Sequence, residues 1–184
     1  FLKGSIRNKQ GLQRGFNYFD VFKIKNLHLQ VEYSQVRPYT YAHKKAEQSY
    51  SHYNQPLAHP LGANFKETIA IINYRFRDLF AELKFNYALI GKDSSGYNWG
   101  NNIFRSDNTA YYGVNSNVNE MLQGEKTTLT YKDIHIGYLV NPSTNLNILL
   151  GISLREEKSN STVNKTSFIY FGIRTSLNNI YYDF

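Results

Sequence analysis

Residues 79–89, LFAELKFNYAL, place Leu79, Ala81, Leu83, Phe85, Tyr87 and Leu89 at every second position, with Glu82, Lys84 and Asn86 among the residues between them. A helix would mix the two sets, whereas an extended strand sends successive side chains to opposite faces and keeps them apart. The same separation recurs along the chain. LHLQVEYS sets Leu27, Leu29, Val31 and Tyr33 against His28, Gln30, Glu32 and Ser34, and DIHIGYLV sets Ile134, Ile136, Tyr138 and Val140 against Asp133, His135 and Gly137. NLNILLGISLR sets Leu146, Ile148, Leu150, Ile152 and Leu154 against Asn147, Gly151, Ser153 and Arg155, with Leu149 out of step. SFIYFGIRTSL sets Ile169, Phe171, Ile173 and Leu177 against Gly172, Arg174 and Ser176. FKETIAIINYRF is apolar on both faces around Ile69 to Ile72, and in GFNYFDVFKI Asp20 interrupts an aromatic face. The pattern predicts seven strands, near residues 15–24, 27–41, 65–77, 79–91, 126–140, 145–157 and 165–177. Each is about 10–15 residues long, roughly twice the usual strand of a soluble domain. That length crosses a tilted bilayer, which takes about 9–11 residues.

The connections narrow the choice. Lys25-Asn26, Arg77-Asp78 and Asn141 to Thr144 read as tight turns, while residues 42–64, 92–125 and the shorter 158–164 are polar loops. Short turns at one end and longer loops at the other are the pattern of an outer-membrane barrel. A water-soluble barrel with its apolar face inward explains the alternation equally well, but explains the strand length and the turn asymmetry poorly. The expected fold is therefore all-β, an antiparallel transmembrane outer-membrane β-barrel, with residues 1–184 as part of one such domain. Single-chain bacterial barrels are normally even-numbered. Seven strands, preceded by a polar segment at residues 1–13, thus read as the C-terminal portion of a larger barrel.

Composition removes other classes. There is no cysteine, hence no disulfide framework, thiol catalyst or cysteine-held metal. No run reaches the roughly 18 apolar residues of a membrane-spanning helix. The chain carries 21 Lys+Arg against 14 Asp+Glu, but they are scattered singly along alternating segments, so the net charge of +7 does not point to nucleic acid. His28, His43, His52, His59 and His135 show no metal-ligand spacing. Ser34, Ser153 and Ser176 share the polar face with His28 and His135, and no nucleophile motif accompanies them. The expectation is a non-enzymatic protein without cofactor or metal.

The remaining candidates are binding residues. Loop 92–125 is rich in Asn, Ser, Tyr and Gly and holds the only Trp. Aromatic faces with amide donors suit sugar rings, which makes Tyr97, Trp99, Asn101, Asn102, Tyr111 and Tyr112 ligand-binding candidates. In QPLAHPLGAN, Pro56 and Pro60 restrict the backbone and reduce the entropy of ordering. Leu57 and Leu61 are costly to leave in water. Pro56, Leu57, His59, Pro60, Leu61, Gly62 and Asn64 are therefore expected to form a rigid structural loop packed on the barrel mouth with both leucines buried. Loop 92–125 is expected to stay open to ligand and to proteases. Arg75, Glu82, Lys84, Asp133, Arg155 and Arg174 are expected on the lumen wall, their mixed signs favouring pairing across it. Gly137, Gly151 and Gly172, on the same face, mark places where neighbouring side chains approach the wall. Leu83, Phe85, Ile136, Ile148 and Leu150 are expected to face lipid, with Phe85 near the midplane.

YSHYNQPLAHPLGANF, Tyr50 to Phe65, resembles a loop that recurs in capsule-assembly (Wzi-type) outer-membrane barrels of the Bacteroidota, and YFGIRTSLNNIYYDF is similar to the last strand and tail of such barrels. Barrels associated with gliding motility in those bacteria, the RemB type, share the likeness. The resemblance covers about the C-terminal third of a full member. It implies a large barrel in the outer membrane of a Gram-negative envelope, with lipid and surface polysaccharide as partners, the capsule-assembly prototype being a surface lectin. An accessory barrel of a motility or secretion complex, bound to other outer-membrane proteins, and a diffusion porin are the alternatives it leaves open.

Overall fold

The structure, a computed structural model, describes residues 2–176. Its main element is one seven-stranded antiparallel sheet in which the strands follow one another in chain order: β1 (Gly11–Phe19), β2 (Leu27–Val36), β3 (Phe65–Phe76), β4 (Leu79–Lys92), β5 (Glu125–Asn141), β6 (Leu146–Lys158) and β7 (Val163–Arg174). The chain is all-β; the only helical pieces among the described residues are single 3-10 turns. Among the described residues the sheet is open, not closed into a barrel: β1 and β7 each pair with one neighbour.

Register preserves the alternation seen in the sequence. Tyr18, Leu29, Ile72, Leu83, Ile134, Ile152 and Ile169 form one continuous cross-strand row. Leu27, Tyr74, Ala81, Ile136, Leu150 and Phe171 form the next. These rows lie on a face left open: Ile136 is 59%, Leu150 58% and Phe171 67% exposed. The opposite face carries Asn73, Glu82, His135, Gly151 and Tyr170 in register, and Asp133, Asn147 and Ser153 are buried on it. Along the central strands the more exposed face is thus apolar, while the better covered face carries most of the polar and charged side chains. Phe85 does not sit at the middle of the apolar rows; its cross-strand neighbour is Lys132, at their margin.

Several boundaries differ from expectation. The first strand is Gly11–Phe19, so residues 11–13 belong to the sheet and not to a preceding loop. Asp20 ends this strand by taking a left-handed backbone, φ 50°, and its Oδ1 accepts the Asn26 N–H at 2.7 Å. The connection to β2 is therefore the seven-residue segment 20–26 with a 3-10 turn at Val21–Lys23, not a two-residue turn. The second strand stops at Val36, because the chain leaves the sheet at Pro38. The β6–β7 connection is only residues 159–162, a tight turn. Leu177 and the closing segment 177–184 lie outside the described residues.

Leu149, out of step in the alternation, lies buried on the polar face against Gly172, where an added Cβ would fall 3.3 Å from its Cδ1. Phe80 and Tyr170 lie directly over Gly137 and Gly151, where a Cβ would come within 2.1 and 2.5 Å of their ring carbons. At Gly137 and Gly151 the missing Cβ makes room for a ring, and at Gly172 for a leucine.

Candidate functional site

Both long loops, 37–64 and 93–124, leave the same end of the sheet and fold with residues 2–9 into one cap. Lys9 Nζ donates to Ala42 O at 2.5 Å and meets Asp107 Oδ2 at 2.6 Å, and the Asn119 N–H donates to Gly4 O at 2.9 Å. Ile6, Tyr39, Ala42 and Ala110 make a small apolar core inside the cap. Beneath it, Val36, Ala63, Phe65, Ala88 and Ile90 form a second core at the sheet's end, joined by Tyr41, Leu61 and Leu129.

Asn64 holds these layers together. It is 0% exposed, has φ 58°, and its Nδ2 donates to Gly91 O at 2.7 Å and Gln123 O at 2.8 Å, while its Oδ1 accepts the Leu122 N–H at 2.7 Å. One amide thus satisfies backbone groups from the end of β4 and from loop 93–124, inside an apolar layer where an unmet polar group is costly. Two further asparagines do similar work. Asn98 Nδ2 donates to Ser106 O at 2.9 Å and to Thr109 Oγ1 at 3.0 Å, and Asn101 Nδ2 donates to Leu61 O and Ala63 O at 3.0 and 2.7 Å. Asn101, expected as a ligand contact, is therefore occupied in joining the two loops. Asn102 is exposed, its Oδ1 accepting the Phe104 N–H at 2.9 Å.

The 55–64 segment packs back onto the sheet, but not as expected in every residue. The His59 ring lies 4.3 Å from the Phe65 ring, its Nδ1 accepts the Leu61 N–H at 3.2 Å, and its Nε2 lies 2.8 Å from Glu67 Oε2. Leu61 joins the apolar layer, whereas Leu57 is 54% exposed. The reason is local. Pro56 pairs with Ser51 in a two-residue hairpin whose tip projects from the cap, and Leu57 follows directly on it. Gly62, at φ 74°, lets its backbone lie where a Cβ would be 2.5 Å from Asn101 O. Pro60 is exposed. The contrast drawn in the sequence between a rigid first loop and an open second one is also corrected: Asn98, Ile103, Asp107, Ala110 and Asn119 of the second loop are all buried.

The aromatic candidates form one cluster. Trp99 stacks on Tyr111 with centroids 3.9 Å apart, Tyr112 meets Trp99 edge-on at 5.7 Å, and Tyr97 meets Tyr111 edge-on at 4.9 Å. Trp99 is pinned: its backbone N–H donates to Asp93 Oδ1 at 2.8 Å, its carbonyl accepts from Gln123 Nε2 at 2.8 Å, and a Cβ at Gly124 would lie 2.7 Å from its Cγ. With Tyr111 on its face, Trp99 serves as the floor of the cluster, and Tyr97, Tyr111 and Tyr112 are the exposed members. Beside it opens a groove of about 890 Å³ lined by Ser94, Ser95, Trp99, Tyr112, Glu120, Gln123, Lys126, Asn160 and Ser161 among others. Asn160 and Ser161 come from the β6–β7 turn, which the strand count places at the same end as loop 93–124 without marking either residue for the groove.

Tyr39 locks the cap from below: its Oη donates to Asn98 O at 2.7 Å and its ring presses on Gly100, whose φ of 86° admits no Cβ there. Burial pushes the Tyr39 hydroxyl up to about 12 from 10.0. The folded cap therefore holds this proton more tightly than the unfolded chain does. Its contribution, about 2–3 kcal/mol, is complete below the ordinary tyrosine value and is lost as pH rises from 10 towards about 12. Protection factors of cap amides, that is exchange rates corrected for hydroxide catalysis, should fall across that window. In Tyr39→Phe, which cannot ionise at this position, the fall should be smaller by the same amount.

On the polar face, Asp133 is the hub of a separate cluster. It accepts from Ser153 Oγ, from Tyr170 Oη at 3.0 Å and from Tyr131 Oη at 3.4 Å, and lies 3.2 Å from His135 Nδ1. The Ser153 hydroxyl is directed at the Asp133 carboxylate, and these hydrogen bonds tie β5, β6 and β7 together. The ion pairs of this face run along the wall: Glu157 meets Lys92 and, at 2.5 Å, Arg155. Arg75, Glu82, Lys84 and Arg174 have no ion-pair partner among the described residues; Arg75 Nε donates to Arg77 O at 3.2 Å.

Compared with known proteins, the chain matches no family model, and neither a curated protein nor a solved structure is significantly similar to it.

Proposed function

We propose that this chain forms part of a non-enzymatic outer-membrane β-barrel whose cap faces out of the cell and binds surface polysaccharide. The observation that carries the reading is the distribution of side chains: rows of Ile, Leu, Phe and Tyr on the open face, polar and charged groups on the covered one, and both long loops at one end. In water each large exposed apolar side chain would forfeit about 1.5–3 kcal/mol; in a bilayer the same face is solvated. The unpaired edges of β1 and β7 are completed by further strands, because open backbone donors and acceptors are not tolerated in lipid.

Polysaccharide is the ligand that suits the cap. Exposed Tyr112 and the Trp99 beneath it border a groove with hydroxyl and amide groups from Ser94, Gln123, Asn160 and Ser161, a surface for rings with apolar faces and polar rims; Tyr97 and Tyr111 belong to the same aromatic cluster outside the groove. The likeness of Tyr50–Phe65 to Wzi-type barrels supports the same reading. The cap also folds over the apolar layer at the mouth, which speaks against a wide diffusion pathway. Retention of the purified chain on immobilised bacterial polysaccharides tests the reading. Tyr112→Ala and Asn160→Ala should each weaken it by about fivefold. Solute flux through reconstituted vesicles with no polysaccharide retention would instead identify a porin.

A further inference from the structure

The apolar face changes character at the cap end. Continuing along β5, β6 and β7 past Ile134, Ile152 and Ile169, the same face presents Lys132, Lys158 and Lys165, with Lys126 beyond; all four are exposed. Arg14 on β1 and Lys66 on β3 extend this cationic row along the sheet. The one carboxylate on this face of the three strands is Glu156, 3.2 Å from Lys165 Nζ. At the opposite end the strands finish this face in Phe76, Leu79, Tyr138, Ile148 and Ile173, and the cations there, Lys23, Lys25 and Arg77, belong to the turns, Arg77 lying over the Phe76 ring at 5.4 Å. The asymmetry is therefore between one margin whose strands carry lysines on this face and one whose strands carry none.

A concavity of about 320 Å³ lies within the cationic margin, lined by Thr130, Lys132, Leu154, Glu156, Lys165 and Ser167 among others. Lys132 and Lys165 stand on strands two apart, about 10 Å at the backbone, on either side of Leu154 and Glu156. Lysine stems lie along apolar surface while their ammonium groups reach the headgroup level. The spread of charge exceeds what one phosphodiester can meet, and Thr130, Ser167 and Glu156 add partners for sugar hydroxyls.

Resting on the outer-membrane reading above, we infer that this margin binds a phosphorylated glycolipid of the outer leaflet. Its phosphate groups lie between Lys132 and Lys165, its sugar hydroxyls meet Thr130 and Glu156, and its acyl chains run down Leu154, Ile152 and Ile169. The site is on the lipid-facing side, separate from the groove in the cap.

Native mass spectrometry of the full chain in detergent, titrated with lipid A, measures the binding directly. Substituting Lys132→Gln together with Lys165→Gln should weaken it about thirty-fold, whereas Lys23→Gln with Lys25→Gln, in the turn at the other end of the sheet, should leave it unchanged. Dephosphorylated lipid A should bind wild type and the Lys132/Lys165 double variant alike. Undiminished lipid A binding by that variant would overturn the site, and so would phosphatidylglycerol binding the wild type as tightly as lipid A does. Insertion into phosphatidylcholine vesicles separates the two levels. If both proteins insert and bind lipid A equally, only the site fails; if wild type stays in the aqueous phase, the membrane reading fails and the site with it.

Discussion

Replacing Asn64 by alanine is expected to undo the cap while leaving the seven-stranded sheet in place. The substitution strips Gly91 O and Gln123 O of their donor and the Leu122 N–H of its acceptor, all against an apolar layer. It also leaves a residue with a Cβ and no side-chain hydrogen bond at φ 58°. An unmet buried group costs about 1–3 kcal/mol, and the left-handed backbone roughly 1–2 kcal/mol. The sum, about 4 kcal/mol or more, exceeds what a locally stabilised cap withstands. Asn64→Gly relieves the backbone but not the bonds and should recover only the smaller part. Asn64→Asp keeps the acceptor for Leu122 but turns an oxygen towards two carbonyls, and should be as damaging as alanine. Limited proteolysis with trypsin checks this: wild type should be cut first at exposed Lys44 and Lys45, the variant also at Arg105, the one trypsin site within residues 93–124. A variant cut like wild type would show that the loops fold independently of Asn64.

The contrast between sheet and cap explains what could be read in advance. Strand alternation is local, so LFAELKFNYAL displays both faces of β4 without knowledge of its neighbours, and the register later sets Leu83 beside Ile134 and Ile72 as that pattern requires. β1 was misplaced because Gly11, Gln13 and Arg14 look like loop residues, and only pairing with β2 reveals them as strand. The cap resisted reading for a different reason. Asn64, Asn98 and Asn101 bond to backbone groups, and backbone groups carry no signature in a sequence. The bond from Asn64 to Gln123 spans 59 residues. The aromatic residues of loop 93–124 were visible as a group, but the ring stacked at 3.9 Å on Trp99 belongs to Tyr111, which converts the tryptophan from an offered surface into a support. The turn that holds groove residues Asn160 and Ser161 is placed at the cap end by the strand count alone, but nothing local to it marks the two residues as meeting loop 93–124.

Ile136→Arg is expected to be among the most damaging single changes on the sheet, although Ile136 is 59% exposed. Its cross-strand neighbours are Ala81 and Leu150, and along β5 it lies between Ile134 and Tyr138, so it sits within the apolar band with no polar side chain on that face beside it. In a bilayer an arginine at such a depth costs about 2–4 kcal/mol, falling to roughly 0–1 kcal/mol near the interface. Phe85→Arg supplies the second measurement, because Phe85 faces Lys132 at the cationic margin and should cost far less. In water the order would differ: an exposed isoleucine replaced by arginine sheds apolar surface, and both changes should then stay within about 0.5 kcal/mol. Denaturant unfolding of the full chain from vesicles reads both variants against wild type. A depth-dependent gap of about 2 kcal/mol between them is the result that a lipid-solvated face demands; two neutral substitutions would mean that the apolar rows are covered by protein or by water and that the barrel reading is wrong.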